Sequence, residues 1–128
     1  MLKARKILVA LSDLDGKKAL SAALRFAGVE PVFTSTLREA KDVLGREPVA
    51  VVFCQSELED GNFRDILDSH EARRENVPVV VCAPFYDSKL YIDAMGCGAY
   101  DFIAYPYAHK EVDWILHGAL RSAAAATA

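Results

Sequence analysis

No CxxC pair, no Cys/His cluster at zinc-ligand spacing and no apolar run near the length of a membrane span occurs in this chain. Each absence removes a class of protein. Three cysteines, Cys54, Cys82 and Cys97, stand far apart and in odd number. A disulfide framework or a zinc site is therefore not expected, whereas free thiols in a reducing cytosol are. A bilayer span takes about 20 apolar residues. The opening MLKARKILVAL is basic and then apolar, but its apolar run, Ile7 to Leu11, is shorter than a signal-peptide core. The expectation is a soluble, cytoplasmic protein with no membrane partner. Excess positive charge is also missing, because the formal net charge is −3. The bases are scattered, and the nearest to a cluster, Lys3, Arg5 and Lys6, opens an apolar run and reads as a solvated edge. A nucleic-acid partner, which needs clustered Lys and Arg, is not expected. No Ser/His/Asp triad, paired catalytic carboxylates or metal set is visible, so no enzymatic reaction is assigned.

What remains is an apolar, patterned chain. Hydrophobic residues make up 52% of the 128 residues, enough for one domain with a proper core. Five short apolar runs read as strands: Lys6 to Leu11, Pro31 to Thr34, Ala50 to Cys54, Val79 to Ala83 and Tyr100 to Ala104. Continuous apolar cores of this kind suit parallel strands covered on both faces. Helical patterns alternate with them. Leu20, Ala23, Leu24 and Ala27 recur at helical spacing, and Gly28 is placed to end that helix. Ser35 or Thr36 can cap a second helix that runs to Leu44 and stops at Gly45. Phe63, Ile66 and Leu67 mark a third. Asp87 or Ser88 can cap a fourth, and a fifth begins near Ala108 and frays into an alanine-rich tail over 122–128.

Five β-α units in order imply an α/β domain with helices on both faces of a parallel sheet. The flavodoxin-like strand order 2-1-3-4-5 is expected, with 1–128 forming one domain. In that topology the functional crevice lies at the carboxyl ends of the strands, near the switch point between strands one and three. Four loops meet there: Leu11-Ser12-Asp13, Cys54-Gln55-Ser56, Ala83-Pro84 and Tyr105-Pro106.

The segments that converge on those loops resemble the receiver domain of bacterial two-component response regulators. KILVALSD resembles its opening strand and acidic pair. GVEPVFTSTLREAKDVL resembles its second strand and helix, EPVAVVFC its third strand and VPVVVCAP its fourth. GAYDFIAYPY resembles the stretch that ordinarily ends in Lys-Pro. The resemblance runs to about Arg121. It implies an aspartate that accepts a phosphoryl group at the end of strand three, two acids that hold Mg²⁺ after strand one, a Thr or Ser after strand four and a Lys after strand five. Phosphoryl transfer needs that positioning and charge neutralisation.

The sequence departs at each of those positions. Leu11 and Ser12 stand where the acids would be, Cys54 at the acceptor, Ala83 at the hydroxyl and Tyr105 at the lysine, followed by the retained Pro106. A one-residue slip would pair Ser12 with Asp13, but the gapless interval to Gly28 favours Leu11-Ser12. The resemblance therefore points to a degenerate, pseudo-receiver form. Mg²⁺ is not expected to bind well, no cofactor is expected, and the Tyr105–Pro106 bond is expected to be cis. Phe102 matches the family's switch aromatic and reads here as packing. Cys54 follows an apolar run with no cation in the neighbouring loops, so an inert buried thiol is expected. Glu57, Glu59 and Asp60 read as a solvated loop, and His70, His109 and His117 as surface residues.

Two further expectations concern partners. Tyr91, Tyr100, Tyr107 and Trp114 fall on or beside the fourth helix, fifth strand and fifth helix, and suit either core packing or an interface. The leading reading is a signalling module that acts through a protein partner or as a homodimer without aspartyl phosphorylation. The sequence leaves no room for a DNA-binding output domain after the fifth helix, so action alone or as a piece of a larger regulator is expected. Two alternatives stay open: a redox switch using Cys54 with Cys82 or Cys97, and nucleotide or flavin binding at the carboxyl edge. The loop Ser12 to Gly16, with one glycine and two acids, makes a poor phosphate cradle.

Overall fold

The computed structural model describes residues 5–127. Lys3 and Ala128 lie outside the described residues. The elements follow in the order β1 (Lys6–Ala10), α1 (Leu14–Phe26), β2 (Pro31–Thr34), α2 (Leu37–Arg46), β3 (Val49–Gln55), β4 (Glu57–Leu58), β5 (Gly61–Asn62), α3 (Phe63–Leu67), α4 (His70–Glu75), β6 (Val79–Ala83), α5 (Ser88–Gly96), β7 (Asp101–Ala104) and α6 (His109–Thr127). Five strands form one parallel sheet in the order β2-β1-β3-β6-β7. In the numbering of the five principal strands this is the expected 2-1-3-4-5. Strands β4 and β5 form a separate antiparallel pair.

The local signals act largely where the residues suggest. Asp13 caps α1 by accepting from Gly16 N–H at 2.7 Å. That helix ends at Ala27, and Gly28 at φ +86° turns the chain, donating to Arg25 O at 2.9 Å while Val29 N–H reaches Leu24 O at 3.0 Å. These paired bonds satisfy the last carbonyls, and glycine is favoured there because a side chain disfavours positive φ. Thr36 rather than Ser35 caps α2 in a reciprocal capping box with Glu39. Such a cap stabilises a helix by about 1 kcal/mol.

Two expectations need correcting. Gly45 does not stop α2, because the helix continues to Arg46 and closes at Glu47, whose N–H reaches Val43 O. The third helix is two short ones, because Ser69 accepts from Ala72 N–H and starts a new turn before the chain can continue. The loop after β3 keeps Glu57, Glu59 and Asp60 exposed, as expected, but it also carries a β4–β5 hairpin with Leu58 buried, turning at Gly61, φ +151°, where a Cβ would collide with Leu37 and Asp65 side chains.

Two apolar layers sandwich the sheet. One packs α1 and α6 against Val9, Val51, Phe53 and Cys82. The other packs α2, α3, α4 and α5 against Leu8, Val52, Cys54 and Ala83. A register shift between β1 and β3 passes over Ala50, so Lys6 pairs with Val49 and Ile7 with Val51. Ala50 and Val51 consequently share the α1–α6 layer, and regular alternation resumes with Val52 and Cys54 opposite Phe53.

Candidate functional site

The carboxyl ends of β1, β3, β6 and β7 open onto a cleft of about 630 Å³. Its walls come from the β1–α1 loop, the loop after β3, the start of α3 and the β6–α5 loop, and include Asp13, Gln55, Glu57, Arg64, Phe85 and Tyr107. Parallel strands place all of these loops at one edge, which is why residues far apart in sequence meet there.

Gln55 organises the mouth. Its side-chain oxygen accepts from the N–H groups of Ser12 at 3.0 Å and Asp13 at 3.1 Å. Its side-chain nitrogen donates to Ser12 Oγ at 3.3 Å and to Glu57 O. One amide thus ties the loop after β1 to the loop after β3. An amide can do this because it carries both donors and an acceptor. Gln55 escaped the sequence reading, which weighed Cys54 as the strand's terminal residue. A polar side chain directly after a buried strand was the available signal.

The five positions singled out in the sequence are brought together, but as filling rather than as a reactive set. Leu11 is buried in the α1–α6 layer, whereas Ser12 is exposed. Cys54 and Ala83 are buried on the same face of neighbouring strands, and Tyr105 is exposed, with its N–H bonded to Ala83 O at 2.9 Å. The Tyr105–Pro106 bond is cis. Burial, with a smaller contribution from the negative charge of Asp65, pushes the Cys54 thiol up to about 12. At neutral pH it is a thiol, and the thiolate is the nucleophile.

Arg64, which the sequence reading also passed over, brings a cation to the cleft. It is ion-paired with Asp93 of α5 and sits over the Phe63 ring at 5.0 Å. It therefore joins α3 to α5, and the charge that acts on Cys54 is that of Asp65, secondary to burial.

A metal ion does not fit these residues. Asp13 is engaged at the α1 cap, Gln55 spans the two loops with a neutral amide, and Leu11 is apolar. Among the described residues no group of three or more His, Cys, Asp or Glu is placed to hold a metal ion. Mg²⁺ favours octahedral oxygen ligation, commonly with one or two carboxylates.

The thiols are also kept apart. Cys54 belongs to the α2–α5 layer and Cys82 to the α1–α6 layer, so the sheet stands between their side chains. Cys97 caps the far end of α5 beside Val77 and Val79, at the amino edge of the sheet. A disulfide requires close Cα atoms and converging Cβ atoms. The face each side chain occupies thus speaks against the alternative of a Cys54–Cys82 redox pair, and the length of the strand against a Cys54–Cys97 one.

The aromatic residues divide. Tyr107 is buried, with its hydroxyl donating to Ala83 O at 3.4 Å, and burial raises its phenol well above the usual range. Tyr100 is half-buried against the α1–α6 layer, its hydroxyl close to Gly118. Of the two roles the sequence left open for these residues, core packing is the one their burial favours. Trp114 is 78% exposed and Tyr91 38% exposed. Phe102 is buried, with Tyr86 and Tyr91 packed edge-on against it at 6.2 and 5.6 Å. His70, His109 and His117 are exposed. Asp60, expected in a solvated loop, accepts from Leu37 and Arg38 N–H groups and so caps α2 from the neighbouring hairpin. The Leu37 hydrogen bond leads in holding its carboxyl below the usual range. Among the described residues, no helix is long and apolar enough to cross a membrane.

Comparison with known proteins agrees with this architecture. No protein-family model matches the chain. The response regulator protein PilR of Pseudomonas aeruginosa is 24% identical over 102 residues, 80% of this chain and 23% of PilR. The swarming motility regulation protein RssB of Serratia marcescens is 26% identical over 106 residues, 83% of this chain and 48% of RssB. The chain thus spans less than half the length of either curated relative. Among solved structures, the beryllofluoride-activated NtrC4 receiver domain dimer superimposes with a TM-score of 0.81 at 22% identity, covering 92% of this chain and 98% of that one. The fold is that of response-regulator receiver domains.

Proposed function

We propose that this receiver-like module signals without aspartyl phosphorylation, through protein–protein contacts or dimerisation, as a degenerate pseudo-receiver of the cytoplasm with no catalytic reaction of its own. The observation that carries the reading is the Gln55 amide, bonded to Ser12, Asp13 and Glu57 across the crevice, beside a buried Cys54 whose thiol is pushed up to about 12. Leu11, Ser12, Cys54, Ala83 and Tyr105 stand where phosphoryl transfer needs carboxylates, a hydroxyl and a counter-cation, and the charged groups nearby, Asp13 and Arg64, are engaged at the α1 cap and with Asp93. Output then rests on surfaces. Tyr86, Tyr91, Ile92 and Trp114 leave large apolar areas exposed along α5, the β6–α5 loop and α6, and exposed aromatics of this kind anchor interfaces. The beryllofluoride-activated NtrC4 receiver is described as a dimer, which is a precedent for self-association on this fold. Partner binding, rather than a transferred group, would set the state of the domain.

Amide NMR spectra recorded with Mg²⁺ and beryllofluoride test the reading. Unmoved resonances at Ser12, Cys54, Ala83 and Tyr105 are expected. Shifts there that spread to Phe102 and α5 would show a working phosphoryl switch and end the proposal.

A further inference from the structure

Basic residues of α1 gather beside the edge strand β2. Lys17, Lys18, Ser21, Ala22 and Arg25 of α1, with Phe33 of β2, line a groove of about 330 Å³ that contains no carboxylate. Phe33 is 38% exposed, and Lys18 and Arg25 are exposed. Lys17 donates to Ser35 Oγ at 2.8 Å and helps keep Glu39 ionised. Lys18 and Arg25 have no such engagement: the ion pairs among the described residues join Lys6 to Glu47, Arg64 to Asp93, Arg74 to Glu75 and His117 to Asp113. An aromatic ring flanked by unneutralised cations is unexpected on a chain whose net charge is −3.

We propose that the α1–β2 groove docks an acidic segment of a partner protein, with an apolar side chain of the segment seated on Phe33 and its carboxylates facing Lys18 and Arg25. Lys and Arg stems supply apolar wall while their heads stay in water, so both kinds of contact are available at once. Opposite charge steers such a segment to the groove and sets its register. A second copy of this chain is the poorer occupant. A two-fold contact centred on the groove would bring the basic groove against itself. Strand addition is also disfavoured, because β2 is a four-residue edge strand that opens with Pro31. Recognition by side chains is left as the mode. The groove shares no lining residue with the crevice, so this inference and the reading above can fail separately.

The test is an amide NMR titration of the full chain with a synthetic octapeptide of glutamates around a central Leu-Phe pair. The same peptide with lysines and anionic phosphatidylserine vesicles serve as competitors. Shifts confined to α1 and the Phe33 region are expected, with affinity falling about tenfold in Lys18→Glu or Arg25→Glu and again at high salt. Both residues are exposed, and an unchanged spectrum outside the groove verifies that the variants fold. Phe33→Ala should weaken binding while leaving its salt dependence in place. Absence of groove shifts at millimolar peptide, equal binding of the lysine peptide, or tighter binding to the vesicles than to the peptide would each overturn the proposal.

Discussion

The crevice and the aromatic edge adjoin one another and are finished in opposite ways. In the crevice, polar groups are satisfied by each other: the Gln55 amide ties two loops, Asp13 caps α1, and Arg64 is paired with Asp93. Along the edge, Ile92 and Trp114 stand 69% and 78% exposed, and Tyr86 is exposed even while packed edge-on against Phe102. Chemistry at the crevice would need unsatisfied or charged groups, whereas association at a surface needs uncovered apolar area. On the proposed reading, this copy of the fold keeps its scaffold and works through its flank rather than the mouth of the sheet.

That contrast can be broken most sharply through the cysteines. In the native protein, an alkylating reagent should modify exposed Cys97 orders of magnitude faster than Cys54 or Cys82, since buried thiols are reached only by opening of the fold. Mass spectrometry of the labelled peptides reads this directly, and prompt native-state modification of Cys54 would make the crevice reactive after all. The raised Cys54 thiol also has a pH consequence. Its contribution to stability is complete below the pKa of the unfolded thiol, about 8.5, and drains as pH rises toward its folded value of about 12. Denaturant midpoints should therefore fall through the alkaline range, more shallowly in Cys54→Ala.

A smaller effect is expected at the amide. Gln55→Ala should cost about 1–2 kcal/mol in urea unfolding, because the Ser12 and Asp13 N–H groups lose their acceptor. Hydrogen exchange at those two amides should quicken while β3 stays protected. Uniform loss of protection would instead mean that Gln55 holds the whole sheet. The smallest change in stability belongs to the edge. Trp114→Ala should stay within about 0.5 kcal/mol of the parent as a monomer. It should lower any self-association measured by sedimentation, and an unaltered association would remove Trp114 from the interface.

Much of this fold was legible from one dimension. Five apolar runs between helical patterns carried the parallel sheet and its order, because strands buried on both faces must be continuously apolar. Thr36, Asp87 and Gly28 marked helix ends through local hydrogen bonding and turn geometry, which depend on a few neighbouring residues. Gly45 misled because a glycine in a helix costs only about 1 kcal/mol, which packing of Val43 and Leu44 overrides.

The residue types that set the crevice's chemistry were equally plain in the chain: Leu11, Cys54, Ala83 and Tyr105 stand where charged or hydroxyl groups are needed by the family they resemble. Which side chains face which way was decided by the tertiary structure. The register of β3 against β6 pairs Cys54 with Val81 and Gln55 with Cys82, so the two cysteines face opposite layers, which disposes of a disulfide that the sequence left open. Tyr107 and Trp114 carry aromatic rings of comparable apolar character, yet one is core and the other surface. Periodicity is a property of neighbours along the chain. Register, burial and the reach of Gln55 across two loops are properties of neighbours in space, and those exist only once the sheet has closed.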